Sequence, residues 1–333
     1  MSKDSWYMAQ HHRLVSYAIR LNHITKLQYY LVPHNLTKEV FKMQISLDTY
    51  LNMSYAALRR LAKVHKSKKF PDQFMPVLGS ILGDALANPK IIKSMVELMI
   101  RTLPLNFAPA KMSGYQVCAD ASPDCESMCL HSAGNPVYLP VKTKSRIAKT
   151  RLFFENRNLL LAMMVKELQR EVKKAARDAV TLAMRPNMTS DIPLEKYSCT
   201  YGGKRMPIID MIHLLAPDMP IYDYTKNPRR DMSREFYTFT FSLSENNETD
   251  AVAQLERGIN VAVVFDTKAG HPLPSHYTLG GKVFEVINGD KHDVRFTDPK
   301  GVIVGLTAKG EARVVGTNTG FVRAAKQSTF MVA

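Results

Sequence analysis

The sequence predicts an α/β protein: a partial or distorted (β/α) TIM-like barrel over residues 110–333, preceded by an α-helical region over residues 1–109. Three observations carry that reading. Segments such as Asn260-Val261-Ala262-Val263-Val264-Phe265 and Gly301-Val302-Ile303-Val304-Gly305 are almost continuously apolar, as strands buried on both faces of a parallel sheet are. Helix-patterned stretches lie between several of them, which suggests βα units. The strand ends are repeatedly polar, and in a barrel the loops at the carboxyl ends build the active site.

Taken in order, the first hundred residues have apolar positions at helical spacing, through Leu14, Val15, Ala18, Ile19 and Leu21 and again through Ile91, Met95, Leu98 and Met99. Pro71 and Pro76 punctuate this region and Pro104 closes it. Gly114-Tyr115-Gln116-Val117 reads as a short strand that enters a cysteine loop, residues 118–129. A basic loop follows, then one long helix over residues 152–179. Further strands are expected at 181–184, 220–224, 236–241, 260–265, 282–287 and 301–305, with helices at 206–215 and 245–257. The connections after Tyr224 and Phe265 look too short or irregular for full helices, so a perfect eightfold barrel is not expected.

The chain of 333 residues carries 45 Lys and Arg against 30 Asp and Glu, a net charge of +15. Such an excess favours a polyanionic partner, RNA or single-stranded DNA. It is unevenly placed: residues 142–177 hold eleven Lys/Arg and three Glu, and Lys63, Lys66, Lys68 and Lys69 form a second knot. The candidate nucleic-acid contacts are Lys142, Lys144, Arg146, Lys149, Arg151, Arg157, Arg185, Lys226, Arg229 and Arg230, with Tyr224 as a stacking face. No apolar run approaches the ~20 residues that span a bilayer, and the N-terminus has no signal-peptide h-region. A cytoplasmic protein is expected, in which thiols stay reduced.

Cys118, Cys125 and Cys129 are three of the four cysteines and fall within twelve residues as C-x6-C-x3-C. Three thiolates can hold zinc with a fourth ligand such as His131, or an iron–sulfur cluster with one iron left open. Alternatively the thiols only pack a loop and no cofactor is bound. Two further groups are candidate sites. Arg185, Asn187, Ser190 and Asp191 suit a phosphate or sugar, or else are turn and cap residues with Asp191 pairing Arg185. Asp290, His292, Asp293 and Asp298 suit a hard cation or acid–base work, or else an acidic turn.

The order of strand, cysteine loop, helix and strand resembles radical S-adenosylmethionine enzymes, whose spacing is C-x3-C-x2-C. Gly301-Val302-Ile303-Val304-Gly305 resembles the G-x-I-x-G element late in those barrels. That resemblance implies S-adenosylmethionine on the open iron, with Ser242, Ser244 and Asn246 helping to hold it. A base-exchanging transglycosylase with Asp191 as nucleophile is a third reading. A closer resemblance runs through Cys118 to Cys129, Lys149-Thr150-Arg151-Leu152-Phe153-Phe154, Arg185-Pro186-Asn187, Tyr222-Asp223-Tyr224-Thr225-Lys226, Phe241-Ser242-Leu243-Ser244-Glu245 and Gly289-Asp290 to Asp298-Pro299. This series resembles the bacteriophage gene product 88 family over residues 110–325. It implies a phage origin, hence the host cytoplasm, and supplies no mechanism.

Overall fold

The structure, a computed structural model, describes residues 45–70, 79–84, 88–130, 140–268 and 270–326. The chain divides into two compact units, Met1–Ile45 and Ser46–Ala333. The helical expectation for the first forty-odd residues, and His131, lie outside the described residues. Everything below concerns the second unit. No helix among the described residues is long and apolar enough to cross a membrane.

The centre is a mostly parallel sheet. Its strands are β1 (Ile100–Pro104), β2 (Thr181–Arg185), β5 (Ile221–Thr225), β6 (Tyr237–Ser242), β7 (Asn260–Phe265), β10 (Ile303–Thr307), β9 (Lys282–Asn288) and β8 (His276–Leu279), in that spatial order. All neighbours are parallel except the β8–β9 hairpin. Gly280 and Gly281, both at positive φ, make the two-residue turn of that hairpin. The short β11 (Val322–Arg323) pairs with the last residues of β7, beyond the end of β6. A separate hairpin, β3 (Ser198–Tyr201) and β4 (Lys204–Pro207), lies off the sheet. The parallel expectation therefore holds, but the barrel is not closed: among the described residues the pairing runs as an open path from β1 to β8.

The first strand is not where the sequence placed it. Gly114-Tyr115-Gln116-Val117 is irregular, and the edge strand is β1, whose five residues are all buried. Its sequence, Ile-Arg-Thr-Leu-Pro, carries no alternation and follows directly on helix α3 (Pro89–Leu98), so the helical pattern masks it. Met99 closes α3 in the left-handed region, φ 55°, and turns the chain into β1. The helices α1 (Leu47–Leu51) and α2 (Tyr55–Lys63) precede it, each capped by a serine, Ser46 and Ser54, whose hydroxyl accepts a backbone N–H.

Between β1 and β2 the expected basic loop and single helix are instead α4 (Pro123–Ser127), α5 (Pro140–Glu155) and α6 (Arg157–Asp178). Asn156 breaks the run, its side chain accepting from Leu159 N and restarting the helix as its N-cap. Two carboxylates on these helices hold the preceding chain. Glu155 accepts from His65, Ser67 Oγ, Lys68 N and Tyr115 Oη. Glu167 accepts from Ile81 N at 2.9 Å, Leu82 N at 2.7 Å and Tyr55 Oη. Helices α7 (Ile208–Leu215), α8 (Glu248–Glu256) and α9 (Glu311–Val315) complete the layers. One core cluster joins α8, through Ala251 and Leu255, to Phe241, Val261, Val263, Phe265 and Ile303 of the sheet.

Candidate functional site

The loop that follows β1 lies at the carboxyl edge of the sheet, where β2, β5 and β6 end. Ser122 caps α4 by accepting from Cys125 N, and Pro123 fits the first helical position, where no N–H is needed. The same hydroxyl donates to Glu245 Oε2 at 2.7 Å, and Glu245 Oε1 accepts from Asp124 N at 3.2 Å. Glu245 stands just after β6, so one carboxylate fastens the cysteine loop to the neighbouring strand end. At the loop's start, Asp191 N donates to Val117 O at 2.9 Å, and Ala110 N donates to Cys118 Sγ at 3.4 Å.

These contacts bring Cys118, Cys125 and Cys129 into one neighbourhood. Burial pushes the Cys118 thiol up to about 12, with Asp191 and the other two cysteines adding to the rise. Burial also raises Cys125, with Cys129, Glu245 and Asp191 acting in the same direction and Lys226 against them. Arg146, on α5, faces Cys129; burial lowers its pKa and the cysteine offsets this. All four cysteines are thiols, and Cys199 is buried apart from the others with its Sγ 3.6 Å from Met211 Sδ. Three thiols are the donor type of zinc and iron–sulfur sites, and Lys226 and Arg146 are the cations beside them. As they stand, no group of three or more His, Cys, Asp or Glu among the described residues is disposed to hold a metal ion.

Beneath the loop runs a buried polar network. Asp223, fully buried on β5, accepts from Asn187 N (2.9 Å), Asn187 Nδ2 (2.8 Å) and Tyr237 Oη (2.6 Å). Burial nonetheless raises its carboxyl to about 6. Arg230 forks onto Glu195 at 2.6 and 3.0 Å and reaches Asp191 at 2.7 Å. Asp191 also accepts from Thr225 Oγ1 and Lys226 N, both at 2.9 Å. On the other face of β5, Tyr222 donates to Asp293, which Arg185 also grips at 2.9 and 3.1 Å, and the Arg185 guanidinium lies 4.5 Å from the centre of the Tyr224 ring. The Arg185–Asp191 pair of the turn-and-cap alternative does not form: Asp191 belongs to Arg230 and Arg185 to Asp293. That arrangement surrounds Asp191 with donors.

The remaining candidates sort by where their charge goes. Lys149 is buried and donates to Ile81 O, burial lowering it to about 8. Arg151 donates to Ser113 O with its guanidinium over Phe70, and Arg157 stacks on Phe153 and Tyr197. With Arg185 and Arg230 these make five cations held by partners within the protein, Lys149, Arg151 and Arg230 buried and Arg157 and Arg185 half-buried. Lys142, Lys144, Arg146, Lys226 and Arg229 are half-buried or exposed. Lys226 Nζ donates to Ser242 O at 3.3 Å and Leu243 O at 3.2 Å, at the centre of the edge. Ser244 is buried and its hydroxyl donates to Asn246 Oδ1, while Asn247 bonds Ser244 N and Ser242 O. The polar atoms of 242–247 thus organise their own turn, with Asn246 exposed. Asp290, Asp293 and Asp298 do not converge: they pair with Lys90 and Lys309, with Arg185, and with Arg295. Gly301 sits at φ 73°, and a Cβ on Gly305 would come within 2.8 Å of Val286, so backbone geometry and packing against β9 account for these glycines.

A family model described as Gene product 88 matches residues 82–330. The chain belongs to this phage gene product family. The gene product 88 match begins before α3 and takes in β1, so the family's shared part includes the whole sheet and the cysteine loop, farther toward the N-terminus than the motifs alone reach. No curated protein and no solved structure matches the chain. The residue that sequence reasoning undervalued is Glu245. It was one polar letter at a strand end, and its partner Ser122 lies 123 positions earlier, too far for any local pattern to pair them.

Proposed function

We propose that this gene product 88 protein holds an iron–sulfur cluster on Cys118, Cys125 and Cys129 and uses it to act on nucleic acid in the host cytoplasm. In this reading the open parallel sheet is a partial barrel with its active site at the carboxyl edge. The observation that carries the proposal is the gathering of three thiols at that edge, in the connection after the first strand, beside Lys226 and Arg146. Cys118, Cys125 and Cys129 would hold the cluster, which would supply one-electron chemistry, with S-adenosylmethionine as its further ligand in the radical reading. Ser242, Ser244 and Asn246 remain the proposed cofactor contacts. The chain's own residues do the rest. Glu245 orients the loop through Ser122 and Asp124, and Lys226 balances thiolate charge. The accessible cations Lys142, Lys144, Arg146 and Arg229 supply sites for phosphate.

The test is iron, zinc and acid-labile sulfide analysis, with a visible spectrum, on protein purified without oxygen. Iron with matching sulfide, lost in Cys125→Ala, supports the proposal. Zinc alone makes the loop a structural clamp. Neither metal favours a second reading, a non-catalytic RNA- or single-strand-binding protein with an enzyme-like sheet. One observation speaks for that alternative: the polar groups of 242–247 bond one another.

A further inference from the structure

A second basic surface lies away from the cysteines. Helix α6 ends just before β2 begins, so its last turn is at the amino edge of the sheet, opposite the thiols. Its outer side carries exposed Arg170, Lys173, Lys174 and Arg177, with half-buried Glu171 among them, on one open face. Positions 170, 173/174 and 177 recur once per turn, so these cations form a row about 10 Å long on one helix face.

Both ends of the row are held in place. The Arg170 guanidinium lies 4.3 Å from the centre of the Tyr55 ring, and Tyr55 is fixed by its bond to Glu167. Arg177 Nε donates to Asp178 at 2.9 Å, and Asp178 is held from its other oxygen by Arg101 at 2.7 Å. Lys173 and Lys174 stand between, exposed, and Glu171 meets Lys174 only at 3.8 Å. Attraction to the helix dipole explains cations in a last turn, but it fades within that turn. Arg170 lies two turns before the end, so the dipole does not account for the row.

A point anion would use one or two of these charges. A row of positive groups at turn spacing, with its outer members stacked or paired, matches a linear polyanion instead. We propose that this helix face docks the phosphate backbone of a nucleic-acid strand, as a site separate from the cysteine edge. The inference shares with the proposed function only its nucleic-acid partner and is independent of any metal.

The test is fluorescence anisotropy of the full chain with a short labelled single-stranded RNA over a series of salt concentrations. The triple variant Lys173→Gln/Lys174→Gln/Arg177→Gln changes only exposed side chains, and unchanged thermal unfolding checks its fold. Each lost phosphate contact lowers the slope of log K against log salt by about 0.7, so the variant's slope should fall by about 2. An unchanged slope overturns the inference. So does competition by polyglutamate as effective as that by unlabelled RNA, which would make the partner an acidic peptide. If Lys142→Gln/Lys144→Gln lowers the slope and the triple variant does not, the cysteine edge is the nucleic-acid surface, and this inference falls while the proposed function stands. Absence of metal, with the triple variant's effect on the slope intact, does the reverse.

Discussion

The cysteine loop and the polar network beneath it sit at the same edge of the same sheet, and both looked like site chemistry in the sequence. Their surroundings differ. Asn187, Asp223, Tyr237, Arg230, Glu195 and Asp191 saturate one another, most at distances of 2.6–3.0 Å, and are buried or nearly so. The three thiols are half-buried and are positioned by backbone and by Glu245, and Cys129 adds to the rise in pKa at both Cys118 and Cys125. A charge whose partners are already inside the protein works for the fold. The loop thiols are instead held in place by backbone and by Glu245, and burial keeps Cys118 and Cys125 protonated.

The largest effect expected from breaking the network is that of Arg230→Ala, which strands two carboxylates, Asp191 and Glu195. Stability should fall by about 3–5 kcal/mol, read from urea unfolding. If it falls by less than about 1 kcal/mol, the network is not what holds this edge. Glu245→Ala removes acceptors from Ser122 and Asp124 and should cost about 1–2 kcal/mol. It should also speed alkylation of the loop thiols, whereas an unchanged alkylation rate would separate Glu245 from the loop's order. Cys125→Ala should change stability by under about 1 kcal/mol while abolishing metal loading, the contrast that most directly sets loop against network.

The pH dependence sharpens the same contrast. The folded Cys118 thiol holds its proton to about 12, above its ordinary value of 9.0. Its contribution to stability is therefore full below that ordinary value and is lost as pH rises toward the folded one. Metal must displace the proton, so capture should strengthen about tenfold per pH unit for each thiol proton released. Titration of metal uptake at several pH values checks this, and a flat profile would mean that the thiols are not ligands. The smallest stability effect is that of Lys142→Gln/Lys144→Gln: within about 0.5 kcal/mol in unfolding, because both side chains reach solvent.

Much of the sheet was legible because its strands are short apolar runs between helix-period segments: β2, β5, β6, β7, β9 and β10 fall within a residue or two of expectation. The edge strand β1 was hidden because Ile100 to Pro104 directly follows a helix, and its pairing with β2 spans a gap no local signal bridges. The helix break at Asn156 was missed for the opposite reason, since both sides of it are good helix. The cysteine cluster was visible as a spacing. The fate of the basic residues was not, because whether Arg230 meets phosphate or Glu195 is decided by residues brought together only in three dimensions.

The fastening of the thiol loop also sets an order of events in synthesis. Ser122 and Glu245 are 123 residues apart, so at 5–20 residues per second the ribosome makes the three cysteines roughly 6–25 s before their anchor exists. During that interval the loop is part of a nascent chain, open to whatever metal or oxidant the cell offers. The carboxylate of Glu245 then arrives and fastens the loop to the end of β6.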